Sequence, residues 1–258
     1  VNASNFGVAN SGNAGSGVVN QTGGTVNANS LGMAQGGTNA SATYNLSAGT
    51  LNVGTGGVDT STNNLAVTTF NISGGALRLL ANSTFRLGNF NNRPTTILQT
   101  GGTVTFFDSG TNAGGTGGFL LQGSSATNPA AYRLNGGTLS VPRFGFGGQA
   151  SSLPFGAVGN LYLNGGTLVT SVSTVDFFGE STRTAPESNA VWHLYLGSVG
   201  GTVDTAGNDV TFNVPVARDP GLGTGTADGG LTKIGTGTLR LSANSTYTGP
   251  TTVTGGTL

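Results

Sequence analysis

Apolar and polar residues alternate in short runs along the whole chain, as in Tyr44-Asn45-Leu46-Ser47, Phe70-Asn71-Ile72-Ser73, Tyr132-Arg133-Leu134-Asn135 and Leu161-Tyr162-Leu163-Asn164. A period of two over four to six residues predicts strands with one buried face, because successive side chains leave a strand on opposite sides. Each run leads into a glycine corner, and the alternation then resumes, as in Thr50-Leu51-Asn52-Val53 and Thr238-Leu239-Arg240-Leu241. Glycine reaches φ > 0 where other residues do so at a cost, so the corner can bend the chain. No stretch carries a helical apolar period of useful length, which excludes helix as the organising element.

The corner recurs. Gly-Gly-Thr-Leu or a close variant begins at residues 23, 48, 74, 101, 136, 165, 200, 236 and 255. The intervals between these nine copies are 25, 26, 27, 35, 29, 35, 36 and 19 residues. Self-similarity on that scale marks a solenoid, in which each repeat buries its apolar face only by stacking on its neighbours. The whole chain, 1–258, reads as a single right-handed parallel β-helix of about nine rungs. At strand spacing it is a rod on the order of 40–50 Å long, with threonines stacking into a ladder along which Asn and Thr side chains can hydrogen-bond. The regular supply of Val, Leu, Ile and Phe argues against disorder, although 48 of the 258 residues are glycine.

Charge narrows the partners. Nine Lys and Arg balance nine Asp and Glu, which leaves no basic patch for nucleic acid or an anionic membrane. No apolar run is long enough to insert in a bilayer. There is no cysteine. The chain opens at Val1 without a start methionine, so it reads as a processed or truncated form. Seven Asn-x-Ser/Thr sequons begin at Asn2, Asn20, Asn39, Asn45, Asn71, Asn82 and Asn244.

Two loops and an aromatic stretch stand out. Residues 111–118 are expected to bulge from a rung. Residues 141–156 hold Phe144, Phe146 and Phe155, read as internally stacked rings. Asp176, Glu180, Arg183, Glu187 and His193 form a cluster of ionisable groups at a possible surface loop, and Arg218, Asp219 and Asp228 lie in another loop at 215–230. A β-helix polysaccharide lyase or glycosidase needs converging carboxylates, and the spacing of the 176–193 cluster does not place its members at equal rung positions. His193, in Val191-Trp192-His193-Leu194, reads as an outward-facing strand residue. Thr-x-Thr triplets are too sporadic for an ice-binding face, and repeated Gly-Gly-x-Gly-x-Asp calcium sites are absent. No catalytic residue, metal site or cofactor is expected.

The last sixty residues resemble a known family. Gly229-Gly230-Leu231-Thr232-Lys233-Ile234-Gly235-Thr236-Gly237-Thr238-Leu239, followed by Asn244-Ser245-Thr246-Tyr247-Thr248-Gly249 and Gly256-Thr257-Leu258, is similar to the autotransporter-associated β-strand repeat. The match is specific over 200–258. It implies a secreted β-helix at the bacterial cell surface with a stalk, fibre or adhesin role and no catalytic residues. Joined on paper, Leu258 and Val1 read like the interior Thr138-Leu139-Ser140-Val141. Either the chain is a segment of a longer array, or subunits stack head to tail through Val1, Asn2, Phe6, Thr257 and Leu258 as a filament or sheath subunit with itself as partner. Glycans or other cell-surface components are further partners if the chain is instead a carbohydrate-binding adhesin; a polysaccharide-degrading enzyme is the remaining alternative.

Overall fold

A computed structural model describes residues 1–9, 15–34, 40–60, 67–80, 83–87, 95–107, 118–121, 129–146, 158–179 and 191–258. Over them the chain winds as a right-handed parallel β-solenoid with no helix. Seventeen strands join one continuous parallel sheet, and Val210–Phe212 pairs with Leu239–Leu241 as a separate two-stranded sheet. Each turn runs through three faces. The second turn shows the pattern: Ser41–Thr60 covers all three, with its bends near Gly49 and Gly57, both at positive φ.

Alternation decides what is buried. On the first face Val19, Tyr44, Phe70, Ile97, Tyr132, Leu161, Leu194 and Val216 stand in register and point inward. The second face stacks Val26, Leu51, Leu77, Val104, Leu139, Leu168 and Val203 in the same way. On the third, Phe6, Leu31, Val58, Phe85, Phe119, Phe144 and Phe178 follow one another. The core is therefore a column rather than a ball, and aromatic contacts run through it unbroken from Phe6 by way of Tyr44, Phe70, Phe85, Phe119, Phe144 and Phe177 to Phe212. Ring centroids 5.0–6.3 Å apart in that chain lie within the favourable range for ring pairs. Phe144 thus stacks internally as its sequence suggested, but from the strand Phe144–Phe146 rather than from a turn. Phe155 and the glycine-rich 111–117 lie outside the described residues.

Nine motif copies do not make nine rungs. The first seven stack in one corner column, where Thr25, Thr50, Ala76, Thr103, Thr138, Thr167 and Thr202 are in register. Thr232 and Thr252 continue that column, not Thr238 and Thr257. The copies at 236 and 255 sit on the third face instead, with Leu239 against Val210 and Thr257 bridged to Thr238. The final coil, 252 − 232 = 20 residues, is also shorter than the earlier ones. The rung count therefore differs from the nine predicted.

The threonine column is in register, but among the described residues its hydroxyls are not bonded to one another. The bonded ladders are made by asparagine. On the first face Asn45 donates to Asn20 at 2.7 Å and Asn71 to Asn45 at 2.8 Å. On the second, Asn27 donates to Asn2 and Asn52 to Asn27, each at 2.7 Å. An amide carries both donor and acceptor and so propagates along a 4.8 Å repeat.

Candidate functional site

The solenoid exposes three kinds of surface: its faces, its corner loops and its two open ends. The ionisable cluster suspected at 176–193 does not assemble into a site among the described residues. Glu180, Arg183 and Glu187 lie outside them. Asp176 accepts a hydrogen bond from Asn213 Nδ2 at 2.6 Å beside the third face, and burial raises its pKa against the opposing pull of Arg143. His193 is on the outside of the first face, where its Nδ1 lies 3.2 Å from Asn160 Oδ1 and burial lowers its pKa. Its neighbours are Tyr195 and, through Asn160, Tyr162, whose ring carries the Arg133 guanidinium 3.9 Å from its centroid. No hydrogen bond or ion pair links Asp176 to His193. No group of three or more His, Cys, Asp or Glu able to hold a metal occurs among the described residues.

The charged loop at 215–230 uses its charges internally. Arg218 donates to the carbonyls of Thr226, Leu222 and Gly223 and so folds the loop around its own side chain. Asp228, almost fully buried, accepts from the backbone N–H groups of Gly230, Thr248 and Gly249 and from the Thr248 hydroxyl. Burial pushes its pKa up, but these four donors outweigh it and hold the carboxyl below the usual range. Next to it, Lys233 occupies the inward position that Leu or Val holds in earlier turns. Its buried ammonium donates to Thr205 Oγ1 at 2.9 Å and to the carbonyls of Ile234, Gly235 and Gly255 at 3.0 Å. Asp228 and Lys233 together pin the last coil to the one before it.

That clamp falls in the segment whose sequence is most distinctive. Residues 231–258 match the passenger-associated transport repeat. This end of the chain carries an autotransporter-associated repeat. Part of the chain is also similar to a curated relative, the adhesin BmaC autotransporter of Brucella suis biovar 1 (strain 1330), at 35% identity over 150 residues. The aligned part is 57% of this chain and 4% of that protein, so the chain spans a small fraction of its relative's length. No solved structure matches the chain.

The ends of the solenoid place the residues expected to meet head to tail. Among the described residues, strand Asn2–Val8 pairs only with Ser16–Met33, and Thr251–Val253 only with Leu231–Ile234, so each has one edge without a strand partner there. Val1 is 72% exposed, and its ammonium donates to Thr25 O. Phe6 is half-buried, packed edge-on to Tyr44. Thr257 and Leu258 are exposed at the opposite end, Thr257 exchanging backbone bonds with Gly237 and Leu239. Val1 and Val253 close the two ends of the same inward column, and Val253 is 45% exposed.

One pair of positions escaped the sequence reading. Gln21 and Gln99 sit in a buried column otherwise filled by Leu46, Ile72, Leu134, Leu163 and Leu196. Gln21 Nε2 donates to the carbonyls of Gly24 and Thr50, and Gln99 Nε2 to those of Gly102 and Thr138. In the next rung Tyr44 and Tyr132 donate their hydroxyls to the respective Oε1. The signal was present: Gln-Thr-Gly-Gly occurs at 21–24 and 99–102.

Proposed function

We propose that this chain is a structural, non-enzymatic segment of a bacterial surface protein, a β-solenoid that builds a stalk or filament by stacking end on end. The observation that carries it is the pair of open strand edges, each ending an apolar column in an exposed valine. Unpaired parallel edges accept a further strand, and stacked coils of a solenoid bury their apolar faces against their neighbours. The same edges suit a neighbouring coil whether it belongs to a longer parent chain or to a second copy. Similarity to an autotransporter adhesin supports placement at the cell surface, with the chain facing outward.

Electron microscopy of the purified protein at neutral pH, with its mass in solution, tests the reading. Unbranched fibres with an axial repeat near one chain length are expected. Isolated short rods with a monomer mass across the accessible concentration range would overturn self-assembly and leave the spacer role.

A further inference from the structure

A cleft of about 960 Å³ runs along the outside of the solenoid where the chain turns from the second face to the third. Two rows line it. One is Asn2, Asn27, Asn52 and Arg78, in register on four successive strands. The other follows the corner and ends in Gly54, Leu80 and Phe107.

Each feature of the cleft is chemically specific. Two bonds link the three amides, Asn27 donating to Asn2 and Asn52 to Asn27, which leaves further donors and acceptors facing out at every rung. Arg78 is exposed, and among the described residues it has no carboxylate partner and no Asp or Glu lines the cleft. Leu80 and Phe107 are 43% and 52% exposed, an apolar platform left uncovered beside the cation. Gly54 keeps the floor open, since a Cβ there meets Asn29 Oδ1 at 2.9 Å. From Asn2 to Arg78 the row spans three strand spacings, roughly 14 Å.

We infer that this cleft is a binding groove for an extended acidic polysaccharide, a uronate-bearing chain lying along the asparagine row. The rung spacing is close to the advance of one pyranose residue, so the amides meet successive ring hydroxyls. A carboxylate pairs with the Arg78 guanidinium, whose planar fork suits it. Phe107 stacks on the apolar face of a ring, as aromatic side chains in ligand sites do. A single cation is too few for nucleic acid, whose affinity comes from neutralising many phosphates. Asn2 also stands at the solenoid's end, whereas Asn27, Asn52, Arg78, Leu80 and Phe107 lie on later strands.

Titration calorimetry of the intact chain at low salt, with purified oligogalacturonate and a cello-oligosaccharide of equal length, tests it. The acidic chain is expected to bind, more weakly as salt rises, and the neutral one to bind far less. Arg78→Gln should weaken binding roughly tenfold, the scale of one charge-assisted hydrogen bond, and Phe107→Ala should weaken it severalfold. Arg240→Gln, at an exposed position of the third face, should leave it unchanged. Circular dichroism should show all three variants folded, since these side chains are exposed. Absence of binding, equal binding of both oligosaccharides, or an unchanged Arg78→Gln affinity would each overturn the proposal.

Discussion

Gly137 shows how tightly a single residue is specified here. Its φ is +73°, and a Cβ would stand 2.4 Å from Gly102 O in the preceding corner. Gly24 has nearly the same φ, +64°, yet nothing lies within 4 Å of its Cβ position. Gly24→Ala should therefore cost only the left-handed penalty of about 1–2 kcal/mol. Gly137→Ala should cost clearly more, because backbone must move; chemical denaturation of the two variants measures the difference. His193 supplies a residue-scale dependence on pH. Burial lowers its folded pKa below the unfolded value of about 6.5. The unfolded chain then binds the proton first, so stability falls as pH drops below that value and levels off beneath the folded pKa. Thermal midpoints at pH 7 and pH 5 should differ more in the wild type than in His193→Gln. Glycine corners of this kind were legible from composition and period. The environment of His193 was legible only as far as its outward direction, because the residues beside it come from other rungs.

At the scale of elements, the strands and their parallel stacking followed from alternation and repeat, since both are properties of neighbouring residues. What alternation could not assign was register in the terminal repeat, where two Gly-Thr corners compete within one short coil and the later one falls on the third face. Nor did it single out the buried amides, since a glutamine in an apolar column looks like an irregularity until the tyrosine of the next rung is placed against it. Those pairs make a prediction about coupling between strands. Tyr132→Phe leaves Gln99 Oε1 unpaired in the core and should cost about 1–3 kcal/mol. Gln99→Leu suits the column in shape but strands the Tyr132 hydroxyl and the carbonyls of Gly102 and Thr138. The double variant should be no less stable than Gln99→Leu alone, a non-additivity that a double-mutant cycle in denaturant reads directly.

For the whole molecule, the open ends make assembly sensitive to one side chain. Val253→Asp places a charge at the exposed end of the second-face column, one layer beyond Lys233. It should abolish fibres by microscopy while leaving the circular dichroism of the solenoid unchanged; fibres that persist would show that the second-face column is not part of the contact. Candidate surfaces were less legible than the fold, because the cleft at Asn2, Asn27, Asn52 and Arg78 is built from residues about 25 apart whose adjacency exists only once the rungs are stacked. The in-register stacking carries a further consequence. Ser16 lies against Ser41, and Ser41 against Val67, so strands 16–33 and 41–60 occupy equivalent places one turn apart. Excising either would set the flanking strands against each other without a change of face. Length in this architecture is thus quantised: whole turns can be gained or lost like beads on a string.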